Sequence, residues 1–436
     1  MAYEIESVAI IGGGTMGSGI AAACAAAGRS VLLLETDAAS AQRALGRALA
    51  TAQSPEEKAA LAKFIETGTV AERLGEIGRY DWICEAVVED LQTKRELFAK
   101  LEPLRRDGSV VSTNTSGIPL RDIAAGLPER LRRDIVVTHF FNPVRVMRLL
   151  EIVAGPETRA QARDALAAFC HDALGKGVVY AKDTVNFIGN RIGCFWMLSG
   201  LHKAKPYLAQ GLGMETIDAL MGAPVGLPST GLYGLIDLIG LDVMDFVGKN
   251  LAINLPAGDA GLAYTRFPEA EQALLTRGQL GRKSGGGFYR VLKAADGSKT
   301  KEVYDLQSQA WRAAAAVQLA PQHSQAGTLL FSGDAEGRFA WDLMGGTLLY
   351  AAGLIPEISD DVVNIDRAMR WGFAWKKGPF ELLDEIGPQR VIERVRGTGQ
   401  PVPKMLAVLD AARAPRFYRD GEYLGLDGVY RPVPAE

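Results

Sequence analysis

A histidine and a glutamate interrupt an apolar, strand-like stretch of the chain, VVTHFFNPVRVMRLLEIV at 136–153. A hairpin centred near Arg145 would make His139 and Glu151 cross-strand neighbours, with facing Cβ atoms about 5 Å apart. A carboxylate beside an imidazole fixes its tautomer and raises its basicity, which a general base near neutral pH requires. The alternative is a structural histidine and a glutamate on a solvated strand face, and the pair alone favours that alternative. Only the surrounding elements can therefore distinguish a general base from a structural histidine.

The start of the chain has the pattern of a strand that enters a glycine-rich turn. An apolar run at 8–11 is followed by Gly12-x-Gly14-x-x-Gly17. Gly12 permits the tight turn, and Gly14 lets the backbone approach a pyrophosphate. Gly17 lets the following helix pack closely on the sheet. The context of strand, glycines and helix favours dinucleotide binding over a bare structural turn.

The elements after this turn complete the same unit. A small-residue helix at 20–27 offers the N–H groups of its first turn to phosphates. A second strand at 31–34 ends at Glu35, whose carboxylate can accept both ribose hydroxyls. Because no arginine stands beside Glu35 to hold a 2′-phosphate, the sequence predicts NAD as the cofactor, rather than NADP.

Strands and helices continue to alternate beyond this unit. The sequence predicts a strand at 82–87, a helix at 93–104 and a strand at 109–112 that opens onto Asn-Thr-Ser. Loops at the carboxyl ends of parallel strands bind ligands in such sheets. Glu89 and Lys94 flank one such loop, where they could hold the nicotinamide ribose or form a solvated ion pair. Their spacing alone favours the solvated pair. We predict a Rossmann-type α/β domain for this part of the chain.

Composition excludes several other classes. A chain of 436 residues suggests roughly two to four domains. The net charge of -3 gives no reason to expect nucleic acid or an anionic membrane as partner. The four cysteines form no C-x-x-C pair, and no apolar run approaches the roughly 18 residues of a membrane span. We therefore expect a soluble, cytoplasmic protein without a signal peptide, and no metal site, since His171, His202 and His323 are isolated from one another.

The second half contains an internal repeat. The segment Ile-Asp-Ala-Leu-Met at 217–221 has a counterpart at 365–369, and each copy carries a second aspartate, Asp237 or Asp384, before an Ile-Gly pair. Each copy also ends near Phe-Tyr, at 288–289 and 417–418. We infer two homologous all-α domains, with a polar linker near 292–305 and a loop around 321–337. The predicted domains are 1–183 for the NAD-binding domain, 184–291 for the first helical copy and 330–431 for the second helical copy.

Several separate motifs occur in an order that resembles the 3-hydroxyacyl-CoA dehydrogenases over residues 1 to about 290. They are GGGTMG at 12–17, EAVVEDLQTKRELF at 85–98, NTS at 114–116, HFFNP at 139–143, LEIV at 150–153, DTVNFIGNRI at 183–192 and GRKSGGGFY at 281–289. The duplicated helical domain is similar to the dehydrogenase part of multifunctional β-oxidation proteins. The resemblance implies NAD-dependent oxidation of (S)-3-hydroxyacyl-CoA to 3-oxoacyl-CoA in fatty-acid β-oxidation.

The resemblance also implies roles for individual residues. The implied catalytic group is His139 as general base, Glu151 as its orienting partner, and Ser116 and Asn190 as substrate contacts. The implied NAD contacts are Gly12, Gly14, Thr15, Met16, Gly17, Glu35, Glu89, Lys94, Ser116, Asn142 and Lys283. Thr51 and Lys58 would contact the nucleotide end of CoA. The family's Asp-Thr-Pro-Gly-Phe reads Asp-Thr-Val-Asn-Phe at 183–187 here, which alters the turn before Asn190.

The implied partners are an acyl-CoA substrate and an enoyl-CoA hydratase domain or a thiolase. The second helical copy lacks counterparts of FIGNR and GRKSGGG, so we expect it to pack on the first copy without contacting substrate. The chain would then be a monomer with an internal pseudo-dimer, or a homodimer. Two alternatives remain open, a dehydrogenase of a non-CoA hydroxy acid and a catalytically silent subunit of a β-oxidation complex. The intact set of implied catalytic residues argues against the silent subunit.

Overall fold

The computed structural model describes residues 4–294 and 296–436. These fall into two compact units. The first unit comprises Met1–Ile188 with two short segments from later in the chain, Glu357–Asp360 and Pro434–Glu436. The second unit comprises Gly189–Pro356 and Asp361–Val433.

An eight-stranded sheet forms the centre of the first unit. Its strands are β1 (Ser7–Ile11), β2 (Ser30–Glu35), β3 (Ile65–Thr69), β4 (Trp82–Glu85), β5 (Val110–Thr113), β6 (Ile135–Phe140), β7 (Leu149–Ala154) and β8 (Gly177–Ala181). They lie in the order β3-β2-β1-β4-β5-β6-β7-β8. Neighbouring strands are parallel, except that β6 and β7 form an antiparallel hairpin. The strand order and the crossovers are those of a Rossmann-type domain, as predicted.

Helices connect the parallel strands of this unit. They are α1 (Thr15–Ala26), α2 (Ala38–Leu49), α3 (Pro55–Ala62), α4 (Val70–Arg73), α5 (Leu91–Leu101), α6 (Leu120–Ala124), α7 (Glu129–Arg132) and α8 (Ala160–Asp172). The central strands β4, β5 and β6 are buried along their whole length. A strand covered on both faces has no solvent-exposed side, which explains why these strands show no regular alternation of polar and apolar residues.

The second unit is mainly helical. Its helices are α9 (Gly189–Ala209), α10 (Met214–Leu220), α11 (Gly231–Ile239), α12 (Leu241–Asn254), α13 (Glu269–Thr276), α14 (Ala326–Leu329), α15 (Ala335–Ala340), α16 (Gly346–Gly353), α17 (Val362–Gly372), α18 (Pro379–Ile386), α19 (Pro388–Gly397) and α20 (Lys404–Ala411). A π-helical turn at Trp341–Gly345 joins α15 to α16. None of the helices described in either unit is long and apolar enough to cross a bilayer.

Two predicted irregular segments are structured, so these predictions were wrong. The predicted linker near 292–305 belongs to a three-stranded antiparallel sheet of β9 (Tyr289–Lys293), β10 (Lys299–Asp305) and β11 (Ala310–Ala313). The charged residues of this segment made it resemble a linker. In the structure two of them cover aromatic rings, Lys301 that of Tyr289 and Arg290 that of Trp311. The loop predicted around 321–337 contains α14 and the start of α15.

His323 is also less isolated than its sequence position suggested. It is buried, with Nε2 2.8 Å from a carboxylate oxygen of Asp334 and Nδ1 2.9 Å from one of Glu336. The two ring nitrogens therefore face two different carboxylates. One ligand atom from each of His323, Asp334 and Glu336 lies within 4.8 Å of the others, so these three side chains could hold a metal ion, which the sequence did not predict.

A second three-stranded antiparallel sheet ends the chain. It consists of β12 (Tyr418–Arg419), β13 (Glu422–Leu424) and β14 (Tyr430–Pro432). Each of the two small sheets begins at the tyrosine of a Phe-Tyr pair, Tyr289 in the first and Tyr418 in the second.

Candidate active site

His139 and Glu151 are directly opposite each other in the β6–β7 hairpin, in the register predicted from their spacing. His139 Nδ1 lies 2.6 Å from Glu151 Oε2. The other carboxylate oxygen, Oε1, accepts a hydrogen bond of 3.0 Å from the backbone N–H of Ile188. Glu151 is fully buried and His139 is 4% exposed. The predicted hairpin is therefore confirmed, and it creates a buried imidazole–carboxylate pair.

A buried lysine contacts the backbone of the hairpin loop. The Lys176 ammonium donates hydrogen bonds to the backbone carbonyls of Val144 and Met147. Burial lowers the pKa of Lys176 from its usual value. The loop also packs on α1, because a Cβ atom at Gly19 would lie 2.8 Å from Val144 Cγ2. The glycine at position 19 thus brings the hairpin close to the helix that follows the glycine-rich turn.

Two of the glycines in that turn are required by the chain itself. Gly12 has φ +100°, and a Cβ atom there would lie 2.5 Å from the carbonyl oxygen of Ala86. A Cβ atom at Gly17 would lie 1.8 Å from the carbonyl oxygen of Gly12. These two glycines therefore serve the tight turn and the close packing of α1 that the sequence predicted.

Gly14 is different, because nothing in the chain requires a glycine there. Its φ is −62°, and a Cβ atom at this position would have no protein atom within 4 Å. Gly14 is the N-cap of α1, and no side chain caps this helix. Open space beside uncapped N–H groups is what a bound pyrophosphate requires. The residues present therefore fit an NAD phosphate site.

Glu35 lies beside this turn, at the end of β2. Its Oε1 accepts a hydrogen bond of 2.8 Å from the N–H of Gly13, and its Oε2 accepts one of 3.1 Å from the N–H of Thr36. These bonds fix the carboxylate at the carboxyl edge of the sheet. Carboxylate oxygens have further lone pairs that can accept ribose hydroxyls.

A buried lysine bridges two glutamates at the neighbouring strand end. Lys94 Nζ is 2.8 Å from Glu85 Oε1 and 3.3 Å from Glu89 Oε2. Lys94 and Glu85 are 1% and 0% exposed. Glu85 Oε2 also accepts a hydrogen bond of 2.6 Å from Thr113 Oγ1. Spacing alone favoured a solvated ion pair for Glu89 and Lys94. That interpretation is wrong, because Lys94 is buried and also pairs with Glu85, a contact that the sequence did not show.

Glu89 organises the loop after β5. Its Oε1 accepts hydrogen bonds from Thr115 Oγ1 at 2.7 Å, Ser116 N at 2.8 Å and Gly117 N at 3.0 Å. Burial alone would raise the pKa of Glu89, but the charge of Lys94 and these donors hold it below its usual value. The loop that carries Ser116 is thus fixed by an ionised carboxylate.

We expect Lys94→Met to reduce the free energy of unfolding by about 3 to 5 kcal/mol, because it leaves the buried Glu85 carboxylate without its cation. Urea unfolding of the purified variant measures this loss. Lys100→Met is a matched control, since Lys100 is exposed on the same helix, α5. If the two variants lost the same amount, within about 1 kcal/mol, the buried pair would have no special weight.

Ser116 and Asn142 are exposed on loops at the carboxyl edge of the sheet. Ser116 Oγ lies 3.3 Å from Glu89 Oε1. The predicted CoA contacts Thr51 and Lys58 are exposed in the α2–α3 region. Arg145, from the β6–β7 loop, donates a 3.0 Å hydrogen bond to the carbonyl of Thr51. The first unit therefore gathers all of the predicted site residues except Asn190 and Lys283.

Asn190 and Lys283 belong to the second unit. Asn190 is half-buried on the first turn of α9. Lys283 Nζ is 2.5 Å from Asp242 Oδ1. The turn before α9 has Asn186 at φ +61° and Phe187 at φ +49°. Asparagine tolerates this left-handed conformation better than most residues, so the residue that replaces the family's glycine suits the turn.

Three residues with a role in the site were not singled out from the sequence. Glu85 anchors Lys94, Lys176 anchors the hairpin loop, and Asp183 accepts hydrogen bonds from the backbone N–H groups of Leu120 and Arg121 at the start of α6. A charged residue at the end of an apolar strand was the only available signal for Glu85 and Asp183. Lys176 had none, because its partners are backbone atoms.

Comparison with known proteins agrees with this geometry. The family model described as 3-hydroxyacyl-CoA dehydrogenase, NAD binding domain, matches residues 7–184. The model described as 3-hydroxyacyl-CoA dehydrogenase, C-terminal domain, matches residues 187–291. The crystal structure of 3-hydroxybutyryl-CoA dehydrogenase from Escherichia coli K12 superposes with a TM-score of 0.69, covering 93% of this chain and 98% of that one, at 23% identity. At this identity the likeness concerns the fold alone.

Two curated relatives are similar in sequence. A probable 3-hydroxyacyl-CoA dehydrogenase of Bacillus subtilis is 33% identical, and the match covers 99% of this chain but 58% of the relative, so the chain spans less than two thirds of that protein. A probable 3-hydroxyacyl-CoA dehydrogenase of Deinococcus radiodurans is also 33% identical, over 66% of this chain and 84% of the relative. On these matches, the chain belongs to the 3-hydroxyacyl-CoA dehydrogenase family.

Proposed function

We propose that this protein oxidises (S)-3-hydroxyacyl-CoA to 3-oxoacyl-CoA with NAD, in fatty-acid β-oxidation. The observation that carries the proposal is the buried His139–Glu151 pair in a sheet that also carries the glycine-rich turn. Membership of the family and the names of both curated relatives support it. Bound NAD supplies the hydride acceptor, and the chain must supply orientation and a base.

The hydrogen bond between the two residues determines which nitrogen acts. An ionised carboxylate only accepts hydrogen bonds, so His139 Nδ1 carries the proton that it shares with Glu151. His139 Nε2 is then unprotonated and accepts the proton of the substrate's 3-hydroxyl group. Glu151 stabilises the imidazolium that forms, while its bond to the Ile188 N–H prevents the carboxylate from rotating.

We assign the other predicted contacts to three parts of the ligands. The glycine-rich turn with Thr15 and Met16 holds the pyrophosphate, and Glu35 holds the adenosine ribose. Glu89, Lys94, Ser116, Asn142 and Lys283 serve the nicotinamide half. Ser116 and Asn190 hold the substrate, with Thr51 and Lys58 at the CoA end.

We also propose that the second unit arose by duplication, with the predicted boundaries 184–291 and 330–431. Supporting contacts recur in both copies. Asp218 accepts hydrogen bonds from two N–H groups at the start of α11 and from the Tyr289 hydroxyl. Asp366 accepts from two N–H groups at the start of α18, and Tyr418 is its hydroxyl partner. Burial raises the pKa of both aspartates, that of Asp218 to about 7.

A glycine and a second aspartate repeat with them. A Cβ atom at Gly231 would lie 2.4 Å from Asp218 Cα, and one at Gly378 would lie 2.3 Å from Asp366 Cα. Asp237 and Asp384 each accept the backbone N–H groups of a Phe-Tyr pair at 2.7–2.8 Å. Helices α10–α13 correspond in order to α17–α20, and each series ends in a three-stranded sheet.

The name of a longer relative supports one further proposal. A putative fatty acid oxidation complex trifunctional enzyme of Rickettsia felis is 34% identical over 93% of this chain and 57% of the relative, and we propose an enoyl-CoA hydratase domain or a thiolase as functional partner. The duplicated second unit would make the chain a monomer with an internal pseudo-dimer.

The test is NADH formation from 3-hydroxyacyl-CoA substrates of graded chain length, with NADP as the competing cofactor. We expect turnover with NAD, and turnover with NADP lower by about tenfold or more, because Glu35 repels a 2′-phosphate. Free 3-hydroxy acids are the matched control substrates. Turnover of the free acids alone would replace the proposal by the non-CoA alternative, and equal use of both cofactors would contradict the role of Glu35.

A further inference from the structure

The first turn of α9 is tied to the second helical copy by a buried arginine. Arg191, the residue after Asn190, is 2% exposed. Its Nε donates a hydrogen bond of 2.7 Å to the Tyr350 hydroxyl, and its Nη2 is 2.6 Å from Asp259 Oδ2. The Tyr350 hydroxyl in turn donates to the Asp259 carboxylate, with both oxygens at 3.1 Å. The Tyr350 hydroxyl thus bridges the guanidinium to the Asp259 carboxylate.

Rings from the second copy also pack on the first two turns of α9. The ring of Tyr350 stacks on that of Phe195, with centroids 3.9 Å apart and planes inclined by 15°. A Cβ atom at Gly193 would lie 2.2 Å from the ring of Phe373. Only a glycine at position 193 lets Phe373 approach the helix this closely. Two side chains of the second copy therefore fix the rotation and the position of this turn.

Asn190 shares this turn but is itself only half-buried. Consecutive residues of one helical turn have a fixed backbone geometry. A rotation of the backbone at Arg191 about the helix axis therefore also rotates Asn190. A displacement of a substrate-orienting group by about 1 Å can cost roughly 100-fold in rate. A contact that fixes Arg191 therefore acts on the group that would hold the substrate.

We propose that Tyr350 is a positioning residue for Asn190, so that the second helical copy serves catalysis without contacting substrate. This inference rests on the proposed function, in which Asn190 holds the 3-hydroxyacyl group. It extends the role expected for the second copy from packing to the setting of a substrate contact.

The test uses Tyr350→Phe, which removes the hydroxyl and retains the ring on Phe195. We expect kcat for the 3-hydroxyacyl-CoA substrate to fall about tenfold, with KM for NAD within about twofold of wild type. In an Asn190→Ala background the same substitution should leave kcat unchanged, because the group through which it acts is gone. Equal losses in both backgrounds, or no loss in either, would overturn the inference.

Tyr207→Phe is the matched control. Tyr207 lies on the same helix, and its hydroxyl donates a 2.5 Å hydrogen bond to Asp342 of the second copy. It is 17 residues beyond Asn190, or about 25 Å along a helix, so we expect kcat to change by less than about twofold. A loss equal to that of Tyr350→Phe would assign both effects to general loosening of the helix.

Amide hydrogen exchange separates this inference from the proposed function. In Tyr350→Phe, exchange at 191–195 should accelerate relative to Tyr207→Phe, whether or not the substrate is identified correctly. Faster exchange in Tyr350→Phe, together with a wild-type protein that turns over no 3-hydroxyacyl-CoA, would support the coupling and refute the proposed function. Unchanged exchange would overturn the coupling itself.

Discussion

His139→Gln should lower kcat for 3-hydroxyacyl-CoA oxidation by about 100- to 10,000-fold, because the side-chain amide cannot accept the substrate's proton. Glutamine retains an N–H group that can donate to Glu151, so the carboxylate need not lose its partner. The measurement is the initial rate of NADH formation at saturating NAD and acyl-CoA. NAD affinity, measured by fluorescence titration, should change little, since the glycine-rich turn and Glu35 are untouched.

His171→Gln provides the comparison for this variant. His171 also has a carboxylate neighbour, with its Nδ1 2.7 Å from Asp172, but the pair is exposed on α8. Its substitution should leave kcat at the wild-type level. Near-normal turnover in His139→Gln would remove the general base from the mechanism, whatever the effect of other substitutions.

Glu151→Gln should lower kcat by a similar factor, about 100- to 10,000-fold, by reversing the tautomer of His139. The amide oxygen can still accept the Ile188 N–H, which leaves its NH₂ group to face His139 Nδ1. The imidazole must then accept at Nδ1 and carry its proton on Nε2, where the base is required.

Nitrogen NMR of histidine-labelled protein reads this change directly. The chain has four histidines, and the spectrum of His139→Gln identifies the signals of His139. We expect Nδ1 to be protonated in the wild type and Nε2 in Glu151→Gln. An unchanged tautomer combined with a large loss of kcat would indicate that Glu151 acts only through its charge.

Local features of the site could be predicted from the sequence. The hairpin followed from two residues at equal distances from a loop, and the turn from glycines between a strand and a helix. Both depend on short-range geometry. The buried bridge at Lys94 could not be predicted, since it unites Glu85, Glu89 and Thr113 from three separate elements.

The second unit shows the same limit. The internal repeat identified Asp218 and Asp366, but not the tyrosine hydroxyls from which they accept hydrogen bonds. The contact of Arg191 with Tyr350 joins residues 159 positions apart. The sheet at 289–313 was missed because its buried residues, such as Val303, are few among many charged ones. The contacts that the sequence did not predict all involve residues that only the folded chain brings near each other.

The hairpin that carries the proposed base has a kinetic consequence. His139 and Glu151 are separated by 12 residues, whereas the parallel pairing of β1 with β4 joins Val8 to Trp82. Hairpins close within about 1–10 μs, while pairings distant in sequence must first overcome a larger loop-closure entropy. The register of His139 and Glu151 is thus specified by a contact between residues close in sequence. This contact can form before the nucleotide-binding strands assemble. Substitutions in this hairpin should therefore affect the folding rate more than those at the β1–β4 pairing.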